Sequence, residues 1–285
     1  MELGQFALVA ALALLAGFVF GLFSAGGALI LIPILNGLLH VPFRQAGSAT
    51  LLIQAITGSV TAVQHARHGN LRPAPALPML IGTALSSFLA GKWVPKVPQE
   101  VLIGLFGGMV LLAVAMLHRR RGGEEGGKSR ASWPVQMLVG FAISFLPALV
   151  GIGGGFLYVP ALYTLCALGI HQAAGTAMLL VVVTCVMGVS GRILSHEQIP
   201  LSLVLIFSVM TVVSSGLGAR TARTLSAPRL KAAFSIFLAL LGAYYVGKAV
   251  YDRASLWQPP PGKLLVLPTG AASVRALAQP HRTIG

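Results

Sequence analysis

The chain has 285 residues, of which 56% are hydrophobic and 9% charged, with a formal net charge of +14 at neutral pH. Soluble domains carry about 25% charged residues, so composition excludes an ordinary water-soluble globule and points to an all-α polytopic membrane protein. The surplus of Lys and Arg has no soluble basic domain to present it, and is read as loop charge that orients the chain and meets anionic lipid, not as a nucleic-acid surface.

From the N-terminus, residues 5–42 form an apolar stretch. It is too long for one crossing, because about 20 helical residues span the ~30 Å hydrocarbon layer. No basic segment precedes it and it runs on past residue 20, so it reads as a first membrane helix rather than a cleaved signal. It is interrupted at Ser24-Ala25-Gly26-Gly27, followed by a proline at Pro33. Apolar runs follow at 43–64, 75–93 and 100–117, and then a polar, basic linker at 118–132. The pattern then recurs: a long stretch at 133–169, interrupted at Gly151-Ile152-Gly153-Gly154-Gly155 and followed by Pro160, then runs at 171–194, 201–219 and 229–250. Residues 252–285, with Pro259-Pro260-Pro261, read as a disordered tail. Expected domains are therefore a first membrane repeat (1–117), a cytoplasmic linker (118–132), a second repeat (133–251) and the tail.

The halves align residue by residue. Gly26 falls on Gly153 and Pro33 on Pro160; after one inserted residue Gly47 falls on Gly175, Ser48 on Thr176, Gln64 on Arg192 and His68 on His196. Such constant register indicates internal duplication. If each interrupted stretch crosses once, each half has four crossings, the halves are parallel and the loop around Arg223 falls outside; if each enters and returns, each half has five segments and the halves are inverted, which puts both the linker and that loop in the cytoplasm and fits the charge rule better. Eight to ten membrane segments in two inverted repeats are expected.

Clustered glycines break helices, and broken backbone survives in a membrane only where protein buries it or it lines a cavity. A break repeated in both halves is the pattern of a transport site; close helix packing through small residues is the alternative. Helices restarting after Gly27 and Gly155 aim unpaired N–H groups and positive dipole ends inward, which suits an anion. The six acidic residues, Glu2, Glu100, Glu124, Glu125, Glu197 and Asp252, all lie in termini, loops or helix ends. No carboxylate is thus available for cation coupling, and facilitated export is the simplest mode. The candidate substrate-binding residues are Ser24, Gly26, Gly27, Ser48, Thr50, Gly153, Gly154, Gly155, Thr176 and Arg192. The glycines offer backbone approach and the hydroxyls offer donors, with helix capping as their alternative role. Arg192 is either a cationic anchor in a central cavity or an Arg reaching for the interface. Gln54 lies in an apolar helix and needs a partner. Cys166 and Cys185 sit in apolar runs and suggest neither disulfide nor metal site. No metal or cofactor is expected.

The paired segments "GLFSAGGALILIP" and "ALVGIGGGFLYVP", with the helix starts "RQAGSAT" and "HQAAGTAM", resemble the sulfite exporter TauE/SafE family over residues 5–250. The resemblance implies a multi-pass transporter of the bacterial inner membrane that moves small sulfur-containing anions such as sulfite, sulfoacetate and related organosulfonates. Its partners would be the anion and the bilayer; a homo-oligomer stays open. Two rival classes are an intramembrane serine protease, from the rhomboid-like Gly188-Val189-Ser190-Gly191, and a non-transporting membrane subunit.

Overall fold

A computed structural model describes residues 3–23, 28–119 and 131–222, and residues 236, 239–240, 242–248 and 251 near the end of the second half. The first break (Ser24, Gly26, Gly27), most of the linker and the tail lie outside the described residues. The described residues form helices and turns with no strand. In chain order these are α1 (Leu3–Phe23), α2 (Ala28–Ile32), widening into a π-helix over Pro33–Leu38, α3 (Phe43–Arg67), α4 (Pro73–Trp93), α5 (Gln99–Arg119), α6 (Trp133–Val150), α7 (Gly155–Leu165), α8 (Ile170–Leu194) and α9 (Leu201–Ala222). A further helical segment covers 242–248. Helix α5 runs two residues into the stretch expected to be linker.

Among the described residues, four helices (α3, α4, α6 and α8) are long and apolar enough to cross a membrane. Their outward faces are apolar, as lipid requires. On α9, Leu201, Leu205, Val209 and Val213 recur every fourth residue and are exposed, while Val204, Phe207, Ser208, Thr211 and Ser214 on the other face are buried. This is the reverse of a water-soluble helix: apolar side chains face out, and hydroxyls find partners inside.

The element bounds repeat. A shift of 127 carries Ala28–Leu38 onto α7 and α3 onto α8, and a shift of 128 brings the start of α4 onto the start of α9. The packing repeats as well. Helix α1 lies against α9 as α6 lies against α4, and α3 and α8 share the centre. Gly47 near the start of α3 meets Arg192 near the end of α8, Gly58 meets Val182 at mid-length, and Gly175 near the start of α8 meets Asn70 just past the end of α3. The two central helices, equivalent by the repeat, therefore run antiparallel.

This arrangement defines two ends of the molecule. One, the Arg44 end, gathers the start of α3, the ends of α4 and α8 and the start of α5: Arg44 Nη2 donates to the Val97 carbonyl at 2.6 Å and Ser195 Oγ to the Lys92 carbonyl at 3.3 Å. The other, the Arg67 end, gathers the end of α3 and the starts of α4 and α8, where the Arg72 N–H donates to Thr176 Oγ1 at 3.0 Å.

Candidate functional site

The second break is the tip of a hairpin. Helix α6 stops because Gly151 is left-handed (φ +104°), and the N–H groups of Gly151 and Ile152 both donate to the Pro147 carbonyl, at 2.8 and 2.9 Å. Gly153 (φ +65°) and Gly154 (φ +73°) are left-handed as well, a run of backbone that side chains with a Cβ resist. The chain then turns back as α7. The end of α7 returns to the start of α6: the Ala131 N–H donates to the Leu165 carbonyl at 2.9 Å, and Gln136 Nε2 to the Ala131 carbonyl at the same distance. With 18 and 11 residues, the arms are about 27 and 16 Å long.

The tip sits against the middles of α3 and α8. A Cβ added at Gly153 would lie 2.5 Å from Gln54 Oε1 and 3.1 Å from Cys185 Sγ. Gln54 is at the centre of Phe43–Arg67, and Cys185 just past the centre of Ile170–Leu194. Gly47, Thr50 and Gln54, spaced three and four apart, share one face of α3, and that face meets the hairpin from Gly151 to Gly153. Thr50 and Gln54 are buried, yet Thr50 Oγ1 and Gln54 Nε2 have no hydrogen-bond partner within the protein. Such a group costs about 1–3 kcal/mol if left unpaired. Beside them the first N–H groups of α7 lack the acceptors that a helix interior supplies, and that of Leu157 donates to the Gly154 carbonyl at 2.9 Å. On the far side, Tyr158 closes over the tip, its hydroxyl 2.6 Å from Thr184 Oγ1 and about as near as a Cβ at Gly154 would allow, at 2.9 Å.

The expected site residues thus divide. Thr50, Gly153, Gly154 and Gly155 come together at the hairpin tip, joined by Gln54, which was noted in the sequence only as a polar residue needing a partner. Tyr158, Thr184 and Cys185 complete the wall; the sequence offers Tyr158 as a hydroxyl or a packed aromatic beside the break, and for Thr184 and Cys185 it shows only an apolar context. Thr176 does not join them. It is buried at the Arg67 end, where its hydroxyl accepts the Arg72 N–H, about 14 Å of helix from Cys185. Ser48 and Arg192 lie toward the Arg44 end. Arg192 is buried in the protein two residues from the end of α8. It is 1% exposed, and its guanidinium donates to the carbonyls of Arg44, Ala148 and Leu149 and to Ser48 Oγ, at 3.1, 3.1, 2.8 and 2.9 Å. The physical reason is that the last carbonyls of a helix lack intrahelical donors. Those at the end of α6, buried in the protein, draw the nearest fork of donors.

The protease motif has no chemistry behind it. Ser190 Oγ donates to the Val186 carbonyl of its own helix at 2.8 Å. His196, in the turn after α8, bonds through its backbone N–H to Ile193.

Long helices with apolar outward faces, and a hairpin whose polar tip is buried against the middles of α3 and α8, point to a polytopic membrane transporter. The chain belongs to the sulfite exporter TauE/SafE family, whose profile matches residues 9–245; this is a family of membrane transporters, not of enzymes. The chain is similar to a probable membrane transporter protein of Bacillus subtilis, 26% identical over 80% of this chain and 95% of the relative. It is also similar to one of Haemophilus influenzae, at 28% over 79% and 91%, and to one of Methanocaldococcus jannaschii, at 22% over 84% and 96%. No solved structure matches it.

Proposed function

We propose that the protein exports small sulfur-containing oxyanions, such as sulfite, sulfoacetate or related organosulfonates, across the bacterial inner membrane, and that the anion binds at the tip of the α6–α7 hairpin. The observation that carries this reading is the pair of buried, unpartnered donors, Thr50 Oγ1 and Gln54 Nε2, on the face of α3 that packs, through Gly47 and the Gln54 amide, against a left-handed glycine run that opens a helix. Donors without a carboxylate suit an anion, and the α7 dipole adds positive potential. The same reading takes the two halves as inverted, supported by the antiparallel α3 and α8, with the Arg67 end and the basic linker in the cytoplasm.

A melting screen of the purified protein against sulfite, thiosulfate, sulfoacetate, taurine, sulfate and a carboxylate control tests the ligand class, because a ligand of the native state raises its melting temperature by mass action. Stabilisation by neutral solutes or cations alone would sink the anion reading. Gln54→Leu should keep the fold and weaken the anion by about 1–3 kcal/mol, roughly ten- to hundredfold. Thr50→Val should act in the same direction and Thr176→Val should leave affinity unchanged. Gly154→Leu, forced into a left-handed conformation against Tyr158, should abolish uptake in liposomes. If Gln54→Leu and Thr50→Val both transport like the parent protein, the site lies elsewhere.

A further inference from the structure

Toward the Arg67 end, the outer face of α3 carries a groove of about 360 Å³ lined by Ser59, Val60, Val63, Gln64 and Arg67. Helical spacing turns this face away from Gly47, Thr50 and Gln54, so the groove has no part in the hairpin site. Val60 is 39% exposed and Val63 51%. Ser59 turns its hydroxyl back on its own helix, donating to the Ala55 carbonyl at 2.6 Å. The wall is therefore apolar along its length, with an amide and a guanidinium only at its outer end. Eight residues separate Ser59 from Arg67, about 12 Å of helix. That is close to half of the ~30 Å hydrocarbon layer, the depth of one leaflet.

On α8 the equivalent face is covered by protein. The repeat shift of 128 carries the five groove positions onto Met187, Gly188, Gly191, Arg192 and Ser195. There α4 lies so close that a Cβ at Gly191 would overlap the Phe88 carbonyl, and one at Gly91 the Gly188 carbonyl. On α3 the two glycines are replaced by Val60 and Val63, whose side chains hold a neighbouring backbone away. Helix α9, the counterpart of α4, is tied to α3 by Thr57 and Thr211 at 3.1 Å. Little more than one turn further along, Gly216, the equivalent of Phe88, has nothing within 4 Å of where a Cβ would stand.

Charge says what the occupant carries at its outer end. Arg67 is joined there by His68 and Arg72. The two acidic residues that are described, Glu100 in the first turn of α5 and Glu197 in the turn after α8, both stand at the Arg44 end. We propose that the groove is a binding site for one anionic phospholipid, with an acyl chain along Val60 and Val63 and the headgroup phosphate on Arg67 and Gln64. Every phospholipid offers the phosphate, and the rest of the headgroup decides between them. An ammonium headgroup meets only further cations among the described residues at this end, so the site favours a lipid of net negative charge. The lipid does for α3 what α4 does for α8: it covers the face. This site depends on neither the hairpin tip nor the anion carried.

Native mass spectrometry of the whole protein in detergent, titrated with phosphatidylglycerol or phosphatidylcholine, tests this. One tightly held phosphatidylglycerol is expected, preferred over phosphatidylcholine about fivefold, the scale of one cation at an anionic surface. Arg67→Gln should remove that preference. Lys96→Gln, the same loss of charge at the Arg44 end, should keep it. Val63→Trp and Val60→Phe are apolar changes on an exposed face, so both proteins should fold; each fills the groove and should abolish the tight site. Equal binding of the two lipids by the parent protein would overturn the proposal, as would equal losses from Arg67→Gln and Lys96→Gln, which would make the preference one of net charge. An unchanged lipid peak in both groove-filling variants would overturn it too. So would a parent dimer that Val63→Trp dissolves without changing the lipid count, because the occupant would then be a second copy of the chain.

Discussion

Two joints in this molecule are built on the same plan from different materials. Where α6 crosses α4, Ser144 Oγ donates to Thr83 Oγ1 at 2.9 Å, and Gly82 and Gly140 let the two backbones approach. Where α1 crosses α9, the position equivalent to Ser144 is Gly17, and a Cβ there would overlap Thr211 Cα and Ser214 Oγ. Thr211, the equivalent of Thr83, turns its hydroxyl to Thr57 of α3 instead, at 3.1 Å. Both joints bring backbones together, but the first adds a hydrogen bond across the crossing, while the second sends the hydroxyl to a third helix. Small-residue contact and interhelical hydrogen bonding are the two ways to bind helices in lipid, where no hydrophobic force acts between them. Here the duplicated positions Ser144 and Gly17 have taken one each, so those residues are not interchangeable.

Exchanging residues between the joints would break that comparison most sharply. Gly17→Leu drives a branched side chain into the α9 backbone and should cost at least about 3 kcal/mol, read as loss of the monodisperse peak or a large fall in melting temperature in detergent. Gly17→Ser, which imitates Ser144, should still destabilise by about 2 kcal/mol because the obstruction is main chain. A stability equal to the parent's would mean the α1–α9 crossing is looser than it looks. The reverse exchange, Ser144→Gly, loses a bond and gains helix entropy, for about 1.5 kcal/mol. The smallest effect is expected from Thr57→Val, about 0.6 kcal/mol. Combined with Thr211→Val in a double-mutant cycle, it should show coupling, whereas Thr57→Val with Thr83→Val should be additive.

Much of the architecture was readable from sequence because it rests on length and period. The apolar runs, the glycine interruption at residues 151–155 and the shift of 127 to 128 need nothing beyond counting. The hairpin return was an expectation from charge placement, and the Ala131–Leu165 bond now describes its second copy. The site was readable only in part. Ser48 and Thr176 look alike in sequence, each a hydroxyl after a glycine near a helix start. Because α3 and α8 are antiparallel, one start meets the end of α6 and the other meets the turn at Asn70. Arg192 could not be placed either, since its acceptors at Ala148 and Leu149 are brought to it by tertiary packing alone. Gln54 was the residue whose signal was present and undervalued: a lone amide in an apolar helix, one turn from Thr50 and two from Gly47.

The hairpin also bears on how such a chain came to be. A segment that enters and returns by the same face adds nothing to the tally of passes. A half made of one such hairpin and three through-going helices would make an odd number of passes and end on the face opposite its beginning. Copy that half head to tail and the copy must thread in upside down. Handedness of insertion would then need no separate invention: parity, set by a few glycines that turned a long helix back on itself, would be enough to make a gene duplication yield two interlocking, oppositely facing halves.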